Sequence, residues 1–315
     1  MPEPGAPGWR APGRWLGRRS AALPPTLRGL LWSACSGVLF CILNALLRRL
    51  AQQLDPMQVQ CLRYLFGFLV MLPLMLPPGL AAYRPRRIGG QFTRGAVHTL
   101  GLMLWFAALA RIPLADTTAI GFTGPLFIMI GAALFLREPM HADRWLATLV
   151  GFAGVLVVVG PRLSGQGGIY HLLILASAPV FAASYLITKV LTRSESAGTI
   201  VVWQAISVTL FSLPMALWAW RTPTPLQWLG FAVCGALGSA GHYCLTRSFR
   251  VADISSTQSV KFLDLLWSSA LGWLMFADVP TQTTLAGGLV ISAATLWAAG
   301  RERRRQVAAL DEHEA

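Results

Sequence analysis

The chain has 315 residues, 55% of them hydrophobic and 12% charged, with a mean hydropathy of +0.56 and a formal net charge of +13. Soluble domains carry about a quarter charged residues, so this composition excludes a soluble globular protein and points to an integral membrane protein. The positive excess would suggest nucleic acid in a soluble chain; here its placement relative to apolar runs matters instead, and no nucleic-acid partner is implied.

In chain order, residues 1–28 are rich in Pro, Gly and Arg and contain no apolar signal-peptide core. They read as a cytoplasmic tail, or as a stretch upstream of a later start codon, rather than as a cleaved leader. A bilayer core of roughly 30 Å needs about 20 mostly apolar residues per helix. Ten such runs follow, at 29–47, 57–77, 95–112, 114–136, 144–160, 169–190, 199–219, 227–247, 254–276 and 281–300. A short tail, 301–315, closes the chain. The runs are continuous rather than alternating, which excludes a β-barrel. The reading is an all-α polytopic membrane protein of ten transmembrane helices, with the bilayer as its solvent.

The basic residues fix the orientation. With a cytoplasmic N-terminus, nineteen Lys and Arg fall in the tails and even-numbered loops, Arg94 among them. Five fall on the other side (Arg48, Arg49, Arg111, Arg162 and Arg221), while Arg63 and Lys261 lie inside spans. That asymmetry puts both termini in the cytoplasm by the positive-inside rule. The five cysteines, Cys35, Cys41, Cys61, Cys234 and Cys244, all lie within spans and show no zinc or disulfide spacing, so they read as buried thiols.

The two halves of the chain overlay at an offset of 140–141 residues. Leu72-Pro73 meets Leu213-Pro214, Gly95-Ala96 meets Gly235-Ala236, Gly101 meets Gly241, Thr117 meets Thr257, Phe122 meets Phe262, and Glu138 meets Asp278. Two repeats result, 29–162 with spans 1–5 and 163–300 with spans 6–10. Five spans is an odd number, so the second repeat enters the membrane from the opposite face, giving a 5+5 inverted repeat of the kind transporters use for alternating access.

Polar residues inside spans mark candidate sites, because ionisable groups there are costly. In span 9, Thr257, Lys261, Asp264 and Ser268 fall on one helical stripe, whose counterpart in span 4 is Thr117, Gly121, Gly124 and Ile128. A charged stripe in one half and small residues in the other suggest a ligand cavity between them. Pro125 after Gly124 breaks the span 4 helix and frees a carbonyl near Gly121. Lys261 and Asp264 read either as a structural ion pair or as the groups that hold a substrate's carboxylate and cation. Asp116 fits a helix N-terminus as well as a site. Arg63, paired by the repeat with Gln204, either snorkels or reaches the cavity.

Asn44, Ser184 and Tyr185 are further polar candidates, and His98 and His242 could titrate or simply pack. Phe122, Phe262 and Trp105 are aromatics placed to stack on a flat or cationic solute. Glu138 and Asp278 close spans 4 and 9 on opposite faces and read as gate or cap contacts. No Walker motif, dinucleotide loop, H-E-x-x-H or nucleophile elbow occurs, so neither a cofactor nor a metal is implied and the chain is not read as an enzyme.

Several of these features resemble one family. Arg63, the A-L-A-x-x-P-L-A-D-T-T-A stretch from Ala108 to Ala119, Gly124-Pro125 and Arg137-Glu138 resemble the EamA branch of the drug/metabolite transporter superfamily, over residues 28–300. Gly238 to Gly241 (G-S-x-G), Ser248 to Asp253 (S-F-x-x-A-D) and Lys261 to Leu265 (K-F-L-D-L) are most similar to bacterial S-adenosylmethionine uptake carriers, where Arg and Glu take the places of Lys261 and Asp264; riboflavin carriers look alike here. The resemblance implies a secondary carrier for a small organic metabolite in a bacterial inner membrane, importing an S-adenosylmethionine-like or riboflavin-like solute. Export of amino acids or drugs is the alternative within the superfamily; a membrane-embedded enzyme or lipid-modifying subunit is the alternative of another class. A homodimer is compatible with either.

Overall fold

The computed structural model describes residues 23–109, 120, 121, 123–138, 141–159 and 169–276, and beyond them 282, 286–294, 296–298, 300, 301 and 304. Every regular element among these is helical. In chain order they are α1 (Pro25–Ala51), α2 (Pro56–Met75), α3 (Ile88–Leu109), α4 (Gly124–Gly131, continued as a π-helix over Ala132–Leu136), α5 (Ala142–Val159) and α6 (Ile169–Leu191). Then come α7 (Ala197–Trp218), α8 (Pro225–Val251), α9 (Gln258–Lys261), α10 (Leu263–Phe276) and α11 (Ala286–Ala298).

Local chemistry starts these helices where it should. The Asp55 carboxylate caps α2 by accepting from Met57 and Gln58 N–H, with Pro56 in the first turn. Ser196 caps α7 through Thr199 N–H, and Thr224 and Gln227 form a reciprocal capping box on α8. Four helices, α1, α2, α6 and α7, are long and apolar enough to cross a membrane. Helices α3 and α8 are as long, at 22 and 27 residues, but carry buried polar groups including Arg94, His98 and His242.

The burial pattern is inverted relative to a soluble protein. Arg94, Gln60, Gln204, Ser36, Ser184 and Thr246 are buried, whereas Leu74, Leu134, Phe135, Leu172 and Leu226 are exposed. An apolar exterior of that extent needs hydrocarbon around it.

Packing follows the two-copy pattern of the sequence. Helix α1 packs on α8 as α6 packs on α3; α2 packs on α8 as α7 packs on α3; α10 packs on α1 as α4 packs on α6. The pair α2 and α7 maps onto itself and is in contact. Residues matched by the offset occupy matched crossings. A Cβ on Gly235 would lie 2.5 Å from the Phe66 carbonyl carbon and 2.6 Å from Gly67 N, so α8 and α2 cross backbone to backbone. Its counterpart Gly95 faces Ser207 where α3 crosses α7. Gly241 lies under the Phe40 ring and Gly101 under the Phe181 ring, and these two phenylalanines are themselves 141 residues apart. Small residues allow this approach, which is how helices associate where burial of apolar surface supplies no drive.

Two expectations are corrected. Span 9 is not uniformly α-helical: Ser255–Thr257 forms a 3₁₀ turn, and the α-helical pattern is interrupted at Phe262, whose backbone stays right-handed helical. Of the expected stripe, Thr257 therefore lies in the 3₁₀ turn, while Lys261 and Asp264 remain paired on one side. Arg94 is not in a loop, because α3 begins at Ile88 and carries it into the bundle at 1% exposure. In span 4, α4 begins at Gly124 with Pro125 in its first turn; residues 110–119 and 122, on which the expected break depends, lie outside the described residues. The tail expected over 1–28 and the C-terminal tail fall almost wholly outside the described residues.

These crossings generate a stability prediction. Gly235→Val forces α8 off α2 and should cost about 1–3 kcal/mol, the usual range for overpacking. A Cβ on Gly89 meets nothing within 4 Å, so Gly89→Ala should leave stability unchanged. Thermal unfolding of both variants in detergent measures the contrast.

Candidate functional site

A cavity of about 360 Å³ lies where α1, α2, α3, α4, α6 and α8 converge on the α9–α10 break. Its volume falls within the range of about 300–1,000 Å³ common for small-molecule sites. Phe40, Trp105, Phe181, Tyr185 and Phe249 supply aromatic wall, and Asn44, Gln60, Arg63, His98, Gln258, Lys261 and Asp264 supply polar groups.

Of the residues expected at the site from sequence, Arg63, Trp105, Gly124, Pro125, Tyr185, Lys261 and Asp264 line the cavity, as do the further candidates Asn44, His98, Gly121 and His242. Two others do not. Thr257 is fully buried in the 3₁₀ turn, where its hydroxyl donates to the Ile254 carbonyl at 2.7 Å; the turn presents Gln258 to the cavity in its place. Phe262 is 1% exposed, and its ring packs where a side chain on Gly151 of α5 would otherwise stand. The ring thus lies against α5 rather than on the cavity wall. Asp116, Thr117, Phe122 and Asp278 lie outside the described residues.

Lys261 and Asp264 form an ion pair, Nζ to Oδ2 at 3.5 Å, across the break between α9 and α10. Asp264 lies against Gly37, and its carbonyl accepts from the Cys41 thiol at 3.4 Å, which seats the start of α10 on α1. The Lys261 ammonium is 5.7 Å from the Phe40 ring centroid. Arg63 lies across Tyr64, with Cζ 4.2 Å from the ring centroid, and against Gly238. Its Nε has no hydrogen-bond partner among the described residues, nor have Gln60 Oε1, Gln258 Oε1 or His242 Nδ1. Buried polar atoms are normally paired, so four orphans on cavity-lining residues fit a site that completes its bonding with a polar ligand.

Behind this wall runs a polar core. Tyr64 Oη lies 2.9 Å from His98 Nε2 and 3.3 Å from His242 Nε2, and His98 Nδ1 lies 3.1 Å from Ser184 Oγ. Arg94 donates to Gln204 Oε1 at 2.7 Å, to the Ile200 carbonyl at 3.3 Å and to Thr188 Oγ1. These contacts satisfy a guanidinium that would otherwise be costly inside the bundle.

Glu138 sits away from the cavity. Its carboxylate accepts from the backbone N–H of Ile254 and Ser255, both at 3.0 Å, and from Ser255 Oγ at 2.7 Å. Arg144 donates to the same Ser255 hydroxyl at 2.9 Å and pairs with Asp253 at 3.1 Å. Lys189 donates to the carbonyls of Phe249 and Ala252. Together they tie the α4–α5 and α6 ends to the α8–α9 connection.

Sequence reasoning missed Phe40, Gln60, Phe181, Phe249 and Gln258. The 141-residue offset between Phe40 and Phe181 was one available signal, and glutamines inside apolar runs were another.

Comparison with known proteins agrees with this geometry. The EamA-like transporter family matches the chain twice, over residues 27–160 and 168–299. A riboflavin transporter of Rhizobium johnstonii is 33% identical over 296 residues, covering 92% of this chain and 98% of its own. An S-adenosylmethionine uptake transporter of Rickettsia prowazekii is 29% identical over 283 residues, covering 90% and 96%. A pseudopaline exporter of Pseudomonas aeruginosa is 26% identical, covering 85% and 94%. A solved crystal structure has the same fold, with a TM-score of 0.74 at 17% identity over 90% of this chain and 98% of the other. With both halves matched and the bundle built around a central cavity, the chain belongs to the EamA-like transporter family and is a small-molecule transporter.

Proposed function

We propose that this protein is a secondary carrier that moves a flat heteroaromatic metabolite across a bacterial inner membrane by alternating access, with a riboflavin-like solute preferred. The observation that carries the proposal is the aromatic-walled cavity containing Arg63, Lys261 and Asp264. Two cations against one carboxylate leave the site with a positive excess, so a neutral or anionic flat solute fits its electrostatics. A cationic, zwitterionic solute such as S-adenosylmethionine would add to that excess. It is the second reading, favoured by Asp264 as a partner for positive charge and by the relatives named for it. Nothing in the cavity suggests a covalent step, and the protein is read as a carrier rather than an enzyme.

The architecture proposed is ten spans in two inverted halves, 29–162 and 163–300. The matched packing of α1 on α8 and α6 on α3 supports it, as do the two family matches. With both termini cytoplasmic, the residues lining the cavity on α1, α2 and α3 lie at mid-membrane and toward the periplasm, while the Glu138 and Arg144 contacts lie at the cytoplasmic end. This arrangement corresponds to a state closed to the cytoplasm, in which Glu138 is a gate contact that must release Ile254 and Ser255 for import.

Uptake into proteoliposomes of labelled riboflavin and labelled S-adenosylmethionine tests the carrier reading; riboflavin should accumulate, and movement of neither solute sinks it. Reporter fusions after Arg87 and Arg193 should read cytoplasmic and one at Arg221 periplasmic; a cytoplasmic reading at Arg221 contradicts the ten-span topology. Lys261→Met and Asp264→Asn should each lower kcat/KM about tenfold or more, as expected when a charge-assisted contact of roughly 1.5–3 kcal/mol is lost. Thr257→Val and Phe262→Leu, which sit outside the cavity, should leave KM unchanged. The double variant Lys261→Met with Asp264→Leu should fold but not transport; full uptake by it would make the pair merely structural.

A further inference from the structure

Four cavity-lining side chains carry a buried polar atom without a hydrogen-bond partner among the described residues: Gln60, Arg63, His242 and Gln258. The bonding behind each one fixes whether that atom donates or accepts. Gln60 on α2 turns one end of its amide to Ser212 Oγ at 3.4 Å. The Ser212 hydroxyl gives its single proton to the Val208 carbonyl, so toward Gln60 it can only accept. The amide nitrogen of Gln60 therefore faces Ser212, and the atom left over is its carbonyl oxygen. Gln258, at the start of α9, is fixed in the same sense. One end of its amide lies 2.7 Å from the Ile254 carbonyl, which can only accept, so that end is the nitrogen. Its Oε1 is again left over. Both glutamines thus keep an acceptor free, and protein groups behind the wall hold it in that orientation.

The other two atoms are donors. Arg63 Nε can only donate. For His242 the order runs through Gln204: Arg94 donates to Gln204 Oε1 at 2.7 Å, so the Gln204 nitrogen faces His242 Nε2 at 3.4 Å and Nε2 accepts. A neutral His242 ring then carries its proton on Nδ1, the unpartnered atom. The wall accordingly offers acceptors from α2 and α9 and donors from α2 and α8. Asp264, which lines the same cavity, is already engaged by Lys261 at 3.5 Å.

We propose that Gln60 and Gln258 are specificity-determining residues of the carrier, admitting a flat solute whose polar edge supplies N–H or O–H donors. The inference rests on the carrier reading given above and narrows its solute. A ring bearing only acceptors would leave both glutamine oxygens unpaired once water is displaced. The imide edge of a flavin meets the pattern, because its N–H stands between two carbonyls and its side chain bears hydroxyls. The N–H serves one glutamine and a hydroxyl the other, while the carbonyls take the Arg63 and His242 donors. The adenine amine of S-adenosylmethionine supplies donors in the same way, so the shared requirement is an exposed N–H on a flat ring. A solute without it is rejected because a buried acceptor stays empty, not because it is too large.

The test compares kcat/KM in proteoliposomes for riboflavin and for riboflavin methylated on its imide nitrogen, which lacks the donor. If the wild type moves S-adenosylmethionine instead, the comparison is with its analogue dimethylated on the adenine amine. The wild type should prefer the parent by roughly 100-fold or more, since a site built to bond an N–H rejects an analogue lacking it. Gln60→Met and Gln258→Met keep the volume and remove the acceptor. One of the two should bring the preference below about tenfold, the level a size effect alone leaves, while still moving the methylated analogue and so proving itself folded. Gln60→Asn and Gln258→Asn withdraw the same oxygens by one methylene and repeat the measurement where methionine is not tolerated. The proposal is overturned if the wild type moves parent and methylated solute alike, or if the variants of both glutamines retain the wild-type preference; in either case the carrier reading stands. Movement of neither parent solute removes the carrier reading, and this inference with it.

Discussion

A hydrocarbon surround offers no hydrogen bonds, so every polar backbone or side-chain group in this bundle must be satisfied by the protein or face a cavity. That constraint explains where the helices can break. Helix α4 starts at Gly124-Pro125, and α9 gives way to α10 at Phe262. Both discontinuities lie against the central space, with Gly124, Pro125, Lys261 and Asp264 on its wall. A break on the lipid-facing side would expose carbonyls and amides with nothing to bind. At the cavity those same groups become available to a solute.

The two family-matched halves have kept their packing and divided their chemistry. Gly95 and Gly235 hold equivalent close crossings, and Gly101 and Gly241 lie under equivalent phenylalanine rings. Elsewhere the copies diverge. Gly124 in one half corresponds to Asp264 in the other, and Arg63 corresponds to Gln204. The first exchange places the ion pair on one wall of the cavity and bare backbone on the opposite one. The second puts a cation at the cavity and a neutral amide against Arg94. The matched crossings keep the two halves alike in packing, while the unmatched side chains give the cavity its charge.

Arg94 shows how closely stability and function are joined in such a bundle. Its guanidinium reaches α6 through Thr188 and α7 through Ile200 and Gln204. Those bonds compensate its burial, and they also fix the direction in which the Gln204 amide faces His242. A residue that reads as structural cross-linking thus sets the donor and acceptor pattern of the whole polar core. The carboxylate of Glu138 works in the same way at the end of the bundle, where it satisfies the free amides of Ile254 and Ser255 and ties α4 to the α8–α9 connection.

The sequence alone determined the solvent of this protein and its plan. Composition required a membrane, the offset of 140–141 residues exposed two copies, and the intramembrane Arg63, Lys261 and Asp264 marked a polar site, because each of these signals follows from local cost in hydrocarbon. What it could not determine was which side of a discontinuous helix each residue faces. Periodicity carried Thr257 to the cavity and the repeat match with Phe122 carried Phe262 there, whereas the 3₁₀ turn buries Thr257, Phe262 packs against Gly151, and Gln258 lines the wall. Nor could it place Arg94, counted with the loops because charge near the end of an apolar run usually faces water. Only the packing of α3 against α6 and α7 supplied the acceptors that make its burial tolerable, and those acceptors lie 94 to 110 residues away along the chain. His98 and His242 lie 34 and 178 residues from their common partner Tyr64, so their meeting is likewise a property of the tertiary structure.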